Sequence, residues 1–329
     1  MIISKTPYRI SFFGGGTDYP NWYNKNNGEV ISATIDKYIY ISCRTLPNFF
    51  DHNYRIVYSK IENVKKINQI NHSVVREILK RSNINHGLEI HYDGDMPARS
   101  GMGSSSTFVV GLIKAINKFS DINLSNKQLA KESIYLEQKV LKETVGSQDQ
   151  IAAAYGGFNS IKFYKNNKFK IFQLLKNKKE LEKLSKNFFL IFTGINRTAK
   201  FVANTYVNKL TKEKKGDLLE IMEHVKIAKK FLINKNYSDF GFLLNETWQI
   251  KKSLSSKVTN PKIENIYKKG IMAGAAGGKL LGAGGGGFLL FYVKKQNHKK
   301  FKKNMSKYIN IPFKFSDEGS KIIFDQENV

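Results

Sequence analysis

The stretch Pro97-Ala98-Arg99-Ser100-Gly101-Met102-Gly103-Ser104-Ser105-Ser106-Thr107 runs into Phe108-Val109-Val110-Gly111-Leu112-Ile113 and decides how this 329-residue chain is read. Gly101 and Gly103 bracket one residue, three serines follow, and an apolar, helix-like run begins. A loop without side-chain bulk lets a polyanion approach its backbone N–H groups closely. Hydroxyls at a helix start cap free amides, and the helix dipole there favours negative charge. The combination predicts a phosphate cradle. A plain Ser/Gly linker ahead of a helix would carry the same letters. The stretch lacks the Gly-Lys-Ser/Thr of a P-loop, and the third glycine and downstream acid of a dinucleotide fingerprint.

Composition bounds what surrounds that loop. A length of 329 residues is enough for a substantial core and about two domains. Apolar residues at 41% and charged residues at 25% exclude a disordered chain. Cys43 is the single cysteine, so no internal disulfide forms, which fits a reducing compartment. No basic-then-apolar leader stands at 1–7. The uncharged runs Ser100–Ile113 and Leu280–Val293 are glycine-rich and too short to span a bilayer. The expectation is a soluble cytoplasmic protein without a membrane partner.

The net charge of +27 raises nucleic-acid binding as a different class of function. However, 47 of the 54 basic residues are lysines scattered from end to end, not a stripe of arginines interleaved with stacking aromatics. No nucleic-acid partner is therefore expected. The charge should instead concentrate anionic substrates such as nucleotides and sugar phosphates.

Upstream of the loop, 1–11 alternates like a strand and ends in Pro7-Tyr8-Arg9-Ile10-Ser11-Phe12-Phe13-Gly14-Gly15-Gly16-Thr17-Asp18. Three glycines after a strand mark a turn where backbone passes close to something, and Thr17 and Asp18 carry groups suited to hydroxyls; an ordinary Asx-turn is the alternative. Strands are expected at 29–45, 54–59 and 87–92, with a helix at 71–80. Downstream, the helix from Ser104 should end near Phe119, and 125–140 reads as a second helix opened by a Ser125/Gln128 capping box. Ser147 and Gln150 match a further capping box, which places Asp149 in the first turn of a short helix, where the dipole keeps it ionised. A strand at 168–175 precedes the charged stretch Lys176–Lys186, where the domain boundary is placed. The domains are therefore 1–182 and 183–329. Beyond it come a strand at 187–193, helices near 200–210, 217–233, 237–254 and 261–276, and a strand at 288–293. Five glycines between Gly282 and Gly287, flanked by apolar residues, predict a buried loop at that last helix–strand junction.

Three glycine-rich signatures thus stand in fixed order, near 7–18, 97–107 and 279–287. Together they resemble the GHMP kinases, the galactokinase, homoserine kinase, mevalonate kinase and phosphomevalonate kinase family. The central one is similar to Pro-x-x-x-Gly-Leu-Gly-Ser-Ser-Ala, with Met102 for Leu and Ser106 for Ala; the last is similar to Lys-x-x-Gly-Ala-Gly-Gly-Gly-Gly. The first, together with 146–159 and Asn245–Lys252, most resembles the D-glycero-D-manno-heptose 7-phosphate kinase branch, with fucose kinases nearby. Galactokinases carry Glu-His where this chain has Gly15-Gly16, so galactose is not the expected substrate.

The resemblance implies an α+β, two-domain fold: a ribosomal-protein-S5-domain-2-like N-terminal domain and a ferredoxin-like C-terminal one, with ATP and sugar meeting between them. It implies ATP binding by Gly101, Gly103, Ser104, Ser105, Ser106, Gly284 and Gly285, and Mg²⁺ ligation by Ser105 and Glu137. Asp149 would be the general base and Arg9 its orienting partner. Gly16, Thr17, Asp18 and Arg197 would bind the sugar phosphate, with Lys200, Lys251 and Lys252 as further candidates for its phosphate. The implied reaction is phosphorylation of the anomeric hydroxyl of a heptose 7-phosphate, giving a 1,7-bisphosphate for nucleotide-activated heptose and cell-surface polysaccharide. A fucokinase-like sugar 1-kinase and a catalytically silent GHMP-fold binding protein are the alternatives. Whether the chain forms a homodimer is left open.

Overall fold

The strand Ile2–Phe13 runs antiparallel to the long strand Gly28–Thr45, from Ile2↔Cys43 to Phe13↔Ile31. The register shifts between Pro7 and Arg9 and again between Ser11 and Phe13. Pro7 has no N–H to give the ladder, and such irregularities re-aim neighbouring side chains. Here the Arg9 N–H leaves the ladder and donates to the Met102 carbonyl at 3.3 Å, tying the strand to the glycine–serine loop.

The computed structural model describes residues 1–196 and 199–326. Among them the strands form a nine-stranded and a four-stranded sheet. The larger runs Lys321–Asp325, Ile2–Phe13, Gly28–Thr45, Leu88–Gly94, Tyr54–Val57, Ile61–Val64, with Phe158–Tyr164 and Phe315–Ser316 also pairing on Gly28–Thr45 and Lys168–Leu175 pairing on Phe158–Tyr164. Pairing is antiparallel except between Tyr54–Val57 and Leu88–Gly94. Helix Ser104–Phe119 lies on this sheet, burying Val109, Leu112, Ile113 and Ile116 against it. The smaller sheet orders Asn310–Ile311, Phe188–Phe192, Phe288–Val293 and Ala275–Leu280. Helix Tyr237–Ser253 packs on Ala275–Leu280, and helix Lys215–Ile233 packs on helix Tyr237–Ser253.

Phe12 holds the two sheets together. Its ring is fully buried and lies 5.2 Å from Phe158 and 5.9 Å from Phe315 of the larger sheet, 5.4 Å from Phe188 of the smaller, and 5.5 Å from Phe240. Such contacts add about 0.5–1.5 kcal/mol per pair beyond area burial. No helix among the described residues is long and apolar enough to cross a membrane.

Several expected elements shift. Residues 178–185 form a capped helix that buries Leu181 and Leu184, so the boundary placed at 182/183 falls inside an element. The tail strands Phe315–Ser316 and Lys321–Asp325 join the first sheet, not the second. The helix expected over 261–276 stops at Met272, and Ala275–Leu280 becomes a strand that pairs with Phe288–Val293. The helix expected over 125–140 is α-helical to Tyr135, opens with the Ser125/Gln128 capping box, and widens into a π turn over Leu136–Val140.

Candidate active site

Consecutive residues of a helix point about 100° apart. At the start of helix Gln148–Tyr155 this aims three side chains at three different partners. Gln148 Nε2 donates to Asp18 Oδ2 at 3.0 Å, Asp149 takes Arg9, and Gln150 Nε2 donates to Glu137. The Arg9 pairing is bidentate: Nε to Asp149 Oδ1 at 2.7 Å and Nη2 to Oδ2 at 2.8 Å. Arg9 Nη1 donates to the Gly101 carbonyl at 3.0 Å, so one guanidinium joins the carboxylate to the glycine–serine loop. The expected Ser147/Gln150 capping box does not form. The Ser147 hydroxyl lies against Tyr23 and Gln138 instead, because the Gln150 amide is taken by Glu137.

Asp18 is buried, with Oδ1 accepting from Gly16 N at 3.0 Å. Burial, with the Asp149 charge nearby, raises its carboxyl above the ordinary range, and the Gly16 and Gln148 hydrogen bonds act the other way. Thr17 does not face the cleft: its hydroxyl donates to the Gly14 carbonyl at 2.7 Å and accepts from Glu29 N at 3.2 Å, which builds the turn. Arg197 lies outside the described residues.

The loop itself uses glycine where nothing else fits. Gly101 is at φ +79°, and a Cβ there would lie 2.6 Å from the Leu281 carbonyl oxygen. At Gly287 a Cβ would come within 2.1 Å of the Ser100 carbonyl oxygen. The two glycine-rich loops are therefore stacked backbone on backbone, which explains the apolar flanks of the second. Gly103 precedes helix Ser104–Phe119 in left-handed conformation and makes no side-chain cap, so the first-turn amides keep no intrahelical partner. Gly101, Gly103, Ser104, Ser105, Ser106 and Gly284 line a cleft of about 330 Å³, together with Arg9, Gly16, Asp18 and Asp149. Gly285 turns away, its N–H donating to Val258 O at 2.7 Å.

Glu137 sits in the π turn, a distortion frequent at functional sites. It is buried, and desolvation pushes its carboxyl up to about 7, opposed by hydrogen bonds from Ser106 and Gln150 and reinforced by Asp149 and Glu143. Ser106, rather than Ser105, is the serine bonded to it; Ser105 is exposed on the cleft wall.

Two family models match the chain: the GHMP kinases N terminal domain over residues 68–157 and the GHMP kinases C terminal domain over 228–310. A D-glycero-alpha-D-manno-heptose 7-phosphate kinase of Campylobacter jejuni is 33% identical over 85% of this chain and 86% of that protein. The chain belongs to the GHMP kinases. It is a phosphotransferase acting on a sugar hydroxyl with ATP as co-substrate. A mevalonate kinase of Methanocaldococcus jannaschii is 29% identical over 67% of this chain and 66% of that one. The fold matches a solved D-glycero-D-manno-heptose 1-phosphate kinase from Bacteroides thetaiotaomicron, with TM-score 0.80 over 99% of this chain and 100% of that one at 23% identity.

Two lysines of this kinase reach the cleft as well. Lys279 is buried and bonds the Phe12 carbonyl; burial, Lys251 and Arg9 hold its ammonium well below the ordinary range. Lys251 is described below. The family resemblance offers Lys251 as a candidate for the substrate's phosphate and Lys279 as the first residue of the third signature, but composition singles out neither, since a lysine in so basic a chain is ordinarily solvated surface. Gln148 was legible only as a flank of Asp149, and Gln150 only as a capping partner it does not become.

Proposed function

We propose that this kinase transfers the γ-phosphoryl group of ATP to the anomeric hydroxyl of a heptose 7-phosphate, giving a heptose 1,7-bisphosphate. The observation that carries the chemistry is the Arg9–Asp149 pair at the edge of the phosphate loop, with Asp18 beside it. Asp149 accepts the proton of the acceptor hydroxyl while the acceptor oxygen bonds the γ-phosphorus and the β–γ bridging oxygen leaves with ADP. Arg9, always charged, fixes the carboxylate in plane. The amides of the Gly101–Ser106 loop and its helix start hold the phosphates. Asp18 orients sugar hydroxyls. The product would feed cytoplasmic synthesis of nucleotide-activated heptose and cell-surface polysaccharide.

Mg²⁺ fits the donor set. Among the described residues no cluster of three or more His, Cys, Asp or Glu side chains forms a cage, but Mg²⁺ takes one or two protein ligands plus phosphate oxygens and water. Ser105 in the cleft wall would hold it together with Glu137, which is buried behind Ser106 and among the described residues makes no ion pair, and the ion neutralises phosphate charge when bound. Glu137→Gln should raise the Mg²⁺ needed for half-maximal rate at least by the ~10–100-fold typical of losing even an outer-shell partner. An unchanged magnesium titration would transfer the role to another acid.

The choice of heptose 7-phosphate rests on the motif likeness and on the relative at 33% identity. We propose Arg197 as the group that receives the 7-phosphate, because charge-assisted, bidentate hydrogen bonds from arginine are about twice as strong as neutral ones. Coupled ADP-release kinetics should then show kcat/KM for the heptose 7-phosphate exceeding that for the free heptose by ~10²-fold or more, equivalent to ~3 kcal/mol. Arg197→Ala should erase most of that preference and barely alter turnover of the free sugar. A better rate with L-fucose or another unphosphorylated hexose would overturn the substrate, while leaving the kinase chemistry standing.

A further inference from the structure

The loop Gly101–Thr107 contains no lysine, yet phosphoryl transfer on unrelated folds places a cation on the group in transit. Three of the five Arg9 N–H groups are taken, two by Asp149 and one by the Gly101 carbonyl, which holds the guanidinium to the general base. Lys279 is tied to the Phe12 backbone. Lys251 is fastened instead to the second glycine loop. It projects from helix Tyr237–Ser253, is buried, and lines the same cleft. Its ammonium donates to the Leu280 carbonyl at 3.2 Å and to the Gly282 carbonyl, and among the described residues it makes no ion pair with a carboxylate. An ammonium has three donors, so one remains for a ligand. Gly282 in turn lies on the phosphate loop: a Cβ on it would be 2.6 Å from Gly101 Cα. The charged groups around Lys251 are Arg9, Asp18 and Lys279.

We propose that Lys251 is a further catalytic residue, whose ammonium contacts the phosphoryl group as it passes from ATP to the acceptor oxygen. Lys251 lines one cleft with Asp18, Asp149 and glycines of both loops, so its spare donor shares the space that group crosses. Lys251 exchanges no proton in the step. The acceptor O–P bond forms, the bridging P–O bond to ADP breaks, and the hydroxyl proton goes to Asp149. Burial, then Arg9, brings the Lys251 ammonium down to about 7, while Asp18 raises it. The charge of bound phosphate acts in the same direction as Asp18 and keeps the group protonated when it is needed.

The test is steady-state kinetics of Lys251→Met. The expected result is a kcat lowered by ~10²–10³-fold, the scale of removing one preorganised donor, with KM for ATP and for sugar within about threefold of wild type. The loss should be the same with phosphorylated and free sugar. A second variant guards against misfolding: Lys251→Cys, inactive as made, should regain activity when 2-bromoethylamine rebuilds an ammonium at that position. Cys43, the chain's native thiol, is buried and pushed up to about 12, so it stays unreacted. Four results would overturn the proposal: a near-normal kcat in Lys251→Met, a loss confined to KM for ATP, a loss seen with phosphorylated acceptors alone, or no recovery in fully aminoethylated Lys251→Cys. The third would make Lys251 a binding group for the substrate's own phosphate.

Discussion

Asp149→Asn should lower kcat by ~10²–10⁴-fold, the usual scale for losing a positioned general base, with ATP affinity nearly intact. The amide is almost isosteric, so the cleft keeps its shape. What changes is the acceptor: the carboxamide cannot take the hydroxyl proton. It also turns an NH₂ toward one of the two Arg9 nitrogens now held at 2.7 and 2.8 Å, so one of the paired hydrogen bonds is lost. In the proposed mechanism nucleotide binding depends on the loop amides instead, which the substitution does not touch. Single-turnover measurement at saturating ATP would separate the chemical step from product release. Near-normal turnover would remove Asp149 from the role of base.

Gly146→Ala is expected to be nearly as damaging, although residue 146 carries no side chain and takes no part in the chemistry. A Cβ there would sit 1.8 Å from Asp18 Oδ2 and 2.5 Å from its Cγ. Asp18 has nowhere to go: Gly16 N and Gln148 Nε2 hold its two oxygens, and Ser147 N donates to its backbone carbonyl at 2.8 Å. The carboxylate must be displaced, and displacements on the order of 1 Å at a reacting centre cost about 10²-fold. The expected result is a kcat/KM for sugar reduced by at least that factor, with ATP binding and the thermal midpoint changed far less. Unaltered sugar kinetics would show that Asp18 does not orient the acceptor.

Much of this kinase was legible locally. Alternation marked the strands, and the helix from Ser104 to Phe119 followed from its glycine–serine start and apolar run, because both signals depend on neighbours in sequence. Asp18 and the loop glycines stood out because the backbone there has to turn or approach a ligand, whereas Arg9 and the role of Asp149 came from the family resemblance, Asp149 itself being legible only as a helix-start residue. The Ser125/Gln128 box was readable for the same reason: its partners are three residues apart.

What remained hidden depended on partners far away in the chain. The Thr17 hydroxyl serves its own turn and the Glu29 backbone, although its letter beside Asp18 reads as a sugar ligand. Gln150 bonds Glu137 rather than capping its helix, because folding delivers a buried carboxylate to it. Residues 315–325 lie on the first sheet since its strands offer unpaired backbone on which they complete the ladder, a preference no local pattern encodes. Lys251 is the sharpest case. The sequence offers it only beside Lys200 and Lys252 as a candidate for the substrate's phosphate, whereas the packing of helix Tyr237–Ser253 against Ala275–Leu280 buries it beside the cleft. A residue's type and its near neighbours determine local conformation, but burial and electrostatic surroundings are set by whatever the rest of the chain brings within a few ångströms, and only the tertiary structure decides that.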